Sequence, residues 1–259
     1  MVRAVAAEFV KLFTTRVWAW LVGVVVLLAA GITGIAAVNV STGDGPPAEV
    51  LLVLLIVLGP VAFVVSAVVG ITALTGEFRH QTATSTFLAE PRRPVVVAAK
   101  LLVYLIFGAL LGAVFVGVML LVGFPIMHSR SITGDVGHPA YHLARIVVGA
   151  IGAIALFAPF GVGFGALVRN QPTAITISAV YLVAAENIML AFRSGRAIYP
   201  YTPGGAAKSM IIPHDRIHEV FDVSGVHMLG GLGGTITLAV WALGLSILGS
   251  VVAVSRDVS

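Results

Sequence analysis

The sequence predicts an all-α membrane protein with six transmembrane helices, on three observations. Hydrophobic residues make up 59% of the 259 residues and charged ones only 10%, whereas a soluble domain carries about 25% charged residues. Six apolar stretches reach the roughly 20 residues that a helix rising about 1.5 Å per residue needs to cross a bilayer core. What lies outside them is cut into short pieces, the longest being the 36 residues Arg193–Met228, and domains rarely fall below about 50 residues. No soluble catalytic domain fits between the stretches, so energy for any transport has to come from a gradient or from another chain.

Charge and cysteine add two exclusions. Lys+Arg 15 against Asp+Glu 11 leaves +4, too little to argue for nucleic acid on so apolar a chain. Cysteine is absent, which removes disulfides, zinc–thiolate sites and cysteine nucleophiles together.

Taken in order, the chain opens with Val2, Val5, Phe9, Leu12 and Phe13 near helical period, while Arg3, Glu8 and Lys11 fall elsewhere on the wheel. This predicts a short amphipathic helix within residues 1–16, lying along a membrane surface. The spans are placed at Val17–Val38, Val50–Leu74, Leu101–Phe124, Ile146–Val168, Ala174–Phe192 and Leu229–Val254. The first exceeds the roughly 7–15 apolar residues of a signal-peptide core and reads as an uncleaved anchor. Between the second and third, Thr82 to Ala89 predicts a short helix that stops before Pro91, because a residue preceding proline avoids the α region. Pro94 suits the first turn of the helix that follows. Loop charge sets the orientation: residues 39–49 hold no Lys or Arg, whereas Thr75–Lys100 holds four. Both termini are therefore predicted on the inner side.

Gly108 and Gly112, Gly161 and Gly165, and Gly230 and Gly234 are each four apart, a spacing that lets helix backbones approach closely, either within one chain or at a dimer seam. Glu186 is the one formal charge inside a span. A carboxylate there costs about 2.5–3.5 kcal/mol on insertion scales, so it has to be neutral, paired or turned to a wet cavity. Asn187 beside it adds a second polar group, and Arg193 lies within reach two turns outward. Both an interhelical hydrogen bond and a place in a translocation pathway fit these residues. Ser66, Ser178 and Ser246 lie in spans without a histidine to serve as base. His138 and His142, like His214 and His218, are four apart, but no complete ligand set accompanies them and no metal site is assigned. Gly204 to Ser209 resembles a P-loop only loosely, since Ala207 stands where glycine must precede the lysine.

The strongest local signal is Glu77-Phe78-Arg79-His80 with Thr82, then Pro91-Arg92-Arg93 and Ala98-Ala99-Lys100. It resembles the first cytoplasmic loop of ABC-2 type permeases, the membrane subunits of bacterial ABC exporters, although Gln81 stands where a glycine is expected. Glu8 to Arg16 resembles their N-terminal elbow helix, Arg169-Asn170 with Ala174-Ile175 their turn between the fourth and fifth helices, and Tyr201-Thr202-Pro203-Gly204-Gly205-Ala206 the proline-containing segment before their last helix. The resemblance covers nearly the whole chain. It implies the ABC-2 (type V exporter-like) fold, a multi-pass protein of the bacterial cytoplasmic membrane, and a pathway built with a second permease copy or a paralogue. ABC ATPase subunits are implied as partners; they would bind the ATP and Mg, leaving this chain without cofactor or enzymatic activity. Coupling to them is expected at Glu77, Arg79, Thr82, Phe87 and Leu88, with Glu186 and Asn187 in or near the pathway. Part of Arg193–Met228, which holds Pro200, Pro203, Pro213 and the apolar run Met210-Ile211-Ile212, is expected to re-enter the outer leaflet as short helices. The cargo implied is a hydrophobic or amphipathic compound: drug, antibiotic, lipid or peptide. The alternative is a gradient-driven secondary transporter that moves protons through Glu186, and a third class is a membrane scaffold or immunity protein without transport.

Overall fold

The computed structural model describes residues 1–39, 47–79, 93–130, 139–213 and 226–256, and every regular element among them is helical. In order these are α1 (Val2–Thr14), α2 (Val17–Asn39), α3 (Pro47–Arg79), α4 (Arg93–Ser129), α5 (Pro139–Val168) and α6 (Gln171–Val180). A π-helical turn (Tyr181–Ala185) leads into α7 (Glu186–Met189), followed by α8 (Arg193–Ile198), a 3₁₀ turn (Tyr199–Tyr201), α9 (Pro203–Ile211) and α10 (Gly230–Arg256). Six stretches are long and apolar enough to cross a membrane: Val17–Asn39, Glu49–Gly76, Val95–Ser129, Leu143–Val168, Gln171–Met189 and Gly230–Gly249. They fit a multi-pass membrane protein. The large apolar side chains left exposed agree, among them Trp20, Leu27, Val57, Leu121 and Leu232, because a surface so apolar is stable only against lipid or another protein.

The span boundaries follow local chemistry. α4 starts eight residues earlier than hydropathy alone places it, at Arg93, with Pro94 in its first turn, where a missing N–H costs nothing. α6 is capped by Asn170, whose side chain accepts from the Thr173 N–H at 3.1 Å, and Pro172 sits in its first turn. Arg169, in the left-handed conformation at φ 55°, ends α5 one residue earlier, so a two-residue turn reverses the chain. The fifth span ends at Met189 rather than Phe192, because the Ala191 and Phe192 amides turn back to the Ile188 and Met189 carbonyls.

α5 is the hub, packed against α3, α4, α9 and α10. A β-carbon at Gly161 would overlap the Ala67 carbonyl of α3, and one at Gly108 of α4 would press on Ala155 of α5. The pairs Gly108/Gly112 and Gly161/Gly165 thus serve packing within one chain. Phe63 of α3 stacks on Phe157 of α5 with ring centroids 4.7 Å apart, and the Ser66 hydroxyl donates to the Ile154 carbonyl at 2.6 Å. Ser178 and Ser246 likewise donate to backbone carbonyls of their own helices. These three serines are occupied in holding helices.

α1 corrects one expectation. Its buried residues are Glu8 and Leu12, whereas Val2 and Phe13 are exposed. Glu8 does not lie on a solvated face; it pairs with Lys100 of α4.

Candidate functional site

The site is assembled around Glu186 by the chain reversal from α6 to α9. A π turn takes one more residue than an α turn and is often found at functional sites. Here it shifts the phase of the helix just ahead of Glu186, which begins α7 and is only 2% exposed. Beyond α7 the chain doubles back. Gly195 packs so close to the Met189 carbonyl that a β-carbon would overlap it, and Arg196 Nε donates to the Leu190 carbonyl at 2.9 Å.

α9 then presents its N-terminus to the carboxylate. Thr202 is the N-cap: its hydroxyl accepts from the Gly205 N–H at 3.1 Å and donates to the Tyr199 carbonyl at 2.7 Å. Pro203 occupies the first turn, the pattern favoured where a helix starts. The Gly204 N–H donates to Glu186 Oε1 at 2.9 Å. The Tyr181 and Thr202 hydroxyls also face the carboxylate. An anion at a helix N-terminus meets the positive end of the helix dipole and donors that have no partner within the helix.

One turn further along α9 lies Lys208, 7% exposed, its ammonium 5.6 Å from the centroid of the Tyr199 ring. Burial pushes this ammonium below the ordinary lysine value, and the negative charge of Glu186 opposes the fall. The result is a buried carboxylate and a buried ammonium close enough for their charges to be felt, with α9 between them.

Of the residues singled out from sequence, Glu186 lies at the centre. Asn187 does not join it: its side chain is exposed and donates to the Val183 carbonyl at 2.7 Å. Arg193 is exposed at the start of α8 and is not a partner of Glu186. Glu77 and Arg79 lie in the last turn of α3. Thr82, Phe87 and Leu88 lie outside the described residues, as do His138, His214 and His218. Among the described residues no cluster of His, Asp and Glu is arranged to hold a metal. Tyr181, Tyr199, Thr202, Gly204 and Lys208 were not foreseen as site residues; the legible signal was the cap sequence Thr202-Pro203-Gly204, which marks a helix N-terminus free to receive an anion.

The short helices expected between Arg193 and Met228 are present as α8, the 3₁₀ turn and α9, and all nine residues of α9 are buried. Because the chain has no natural cysteine, single cysteines at Ala206 and Ile211 give a clean test. Both are expected to react with a water-soluble maleimide at least tenfold more slowly than a cysteine at exposed Tyr201; equal rates would mean that this segment is a solvated loop.

No protein-family model matches the chain, and no curated protein matches it.

Proposed function

We propose that this chain is the permease subunit of an ATP-driven exporter of the ABC-2 type, forming half of a translocation pathway for a hydrophobic or amphipathic compound. The observation that carries the reading is α9: a proline-containing segment folded as a short, buried helix against α5 and α10, at the place in the chain where the resemblance calls for it. Non-helical backbone at bundle depth is tolerated where protein or a wet cavity satisfies it, which is the setting of a pathway. In this reading both termini and the 80–92 segment face the cytoplasm, ATP and Mg are bound by partner ATPase subunits, and a second copy or a paralogue completes the pathway. Thr82–Ala89 docks on the ATPase through Phe87 and Leu88, with Glu77 and Arg79 at its base.

The test is the double variant Phe87→Ala/Leu88→Ala, purified with an ATPase subunit that co-purifies with the unaltered chain. Substrate-stimulated ATP hydrolysis should fall at least tenfold, or the ATPase should be lost from the complex, while the permease still inserts. Unchanged stimulation and recovery would overturn the docking assignment.

A second reading, gradient-driven transport, is favoured by one observation: two titratable groups, Glu186 and Lys208, are both buried in the same part of the bundle. Transport that persists without ATP and collapses with the proton gradient would select it.

A further inference from the structure

Glu8 is the least exposed residue of α1, at 2%. Its Oε2 accepts from the Lys100 ammonium of α4 at 2.5 Å, and its Oε1 from Lys11, one turn along α1, at 2.8 Å. Lys100 is itself 3% exposed, and its ammonium also lies 5.9 Å from the Tyr104 ring centroid. Around the pair Leu12 packs with Val103, Tyr104 and Phe107, and Trp18 closes the cluster from α2.

This arrangement is not what an amphipathic helix needs in order to rest on a membrane. There a carboxylate keeps its hydration by facing water, and an apolar residue at position 8 would serve packing as well. Burying two opposite charges gains little net stability over an apolar pair, because desolvation offsets the Coulomb attraction. What it does supply is one geometry: α1 can neither slide nor roll without separating two charges that have no water to replace the partner.

We infer that Glu8–Lys100 is a registry lock that joins α1 to the head of α4 as one rigid body. α4 begins at Arg93, so a displacement of the head of α4 moves α1 as well. The lock rests on the fold alone; its part in coupling to an ATPase rests on the export reading proposed above.

The experiment uses the full chain in lipid nanodiscs, read by hydrogen exchange of the α1 amides and by the distance between spin labels on cysteines at Val10 of α1 and Leu102 of α4, both exposed. Glu8→Gln and Lys100→Met each break the Glu8–Lys100 pair between α1 and α4, and α1 exchange should rise on the order of a hundredfold. The charge-swapped pair Glu8→Lys/Lys100→Glu should recover part of that protection, the remainder being lost to repulsion from Lys11. The apolar pair Glu8→Leu/Lys100→Leu should keep the parent Tm while the label distance distribution broadens, a result that loss of ordinary packing does not give. These two double variants carry the test if the single ones fail to fold. Unchanged exchange in every variant, or an apolar pair with a distribution as narrow as the parent, overturns the lock. Full ATP-driven transport by an apolar pair with a broadened distribution overturns the coupling role. If the unaltered chain shows no ATP-driven transport at all, the export reading fails and the exchange data still decide the lock.

Discussion

Gly204→Ala is expected to be among the most damaging methyl additions in the chain. A β-carbon there would overlap Glu186 Oε2 and lie 2.8 Å from Cδ. The obstacle is not a loose side-chain end, because the carboxylate is held by the Gly204 N–H and faced by the Thr202 and Tyr181 hydroxyls. If the carboxylate swings away, the N-terminus of α9 loses its anion and a buried N–H loses its partner, which costs about 1–3 kcal/mol. If α9 retreats instead, it meets other tight contacts: Gly205 lies against the Tyr199 carbonyl, and the Ala206 carbonyl lies against Gly234 of α10. Overpacking of that kind costs about 1–3 kcal/mol. Either way the loss is about 1–3 kcal/mol, visible as a lower Tm and a smaller yield of monodisperse protein. The cause can be separated by a double-mutant cycle, since contacting residues are non-additive. In a Glu186→Ala background the same Gly204→Ala change should cost less than half as much. An equal cost in both backgrounds would place the clash elsewhere and remove Glu186 as the anchor of α9.

The spans were legible because length and hydropathy alone define them, and the ends of α4 and α6 because Pro94 and Asn170 act within one turn of where they stand. α1 was legible as a helix but not in its orientation. The wheel sets Val2, Phe9 and Phe13 on an apolar side for the membrane and Glu8 on a polar side for water. Where lipid is available there is no hydrophobic drive between helices, and the helix is free to turn Glu8 inward to the cation that satisfies it. The partner, Lys100, is 92 residues away in sequence, and nothing local announces it. Glu186 was legible as a site because a carboxylate in an apolar run needs an explanation. Its partners were not, for two reasons. The π turn at Tyr181–Ala185 changes the helical phase, so the periodicity of α6 does not say which face Glu186 takes, and Asn187 points away because consecutive helical residues do not share a face. Lys208 reads as an ordinary loop cation until α9 is seen to fold back into the bundle.

Glu186 itself carries the last expectation, and its two replacements separate three roles. Glu186→Gln keeps an oxygen for the Gly204 N–H but removes the charge that holds the Lys208 ammonium up. Lys208 then falls further below its ordinary value of 10.5, so the folded protein binds fewer protons than the unfolded chain between the lowered value and that one. Stability therefore rises with pH across this window: the deficit of Glu186→Gln should shrink toward alkaline pH, and adding Lys208→Met should abolish the pH dependence. Glu186→Leu also removes the acceptor, leaving the buried Gly204 N–H without its partner, and should cost about 1–3 kcal/mol. If Glu186 is only the cap of α9, Glu186→Gln transports normally once folded, and Glu186→Leu fails at assembly. If its charge belongs to the pathway, Glu186→Gln assembles and supports basal ATP hydrolysis but does not transport. If it carries protons, Glu186→Gln abolishes uptake driven by a proton gradient in the absence of ATP. Normal transport by both variants would leave the carboxylate with neither role in the pathway and remove the main support for gradient-driven transport.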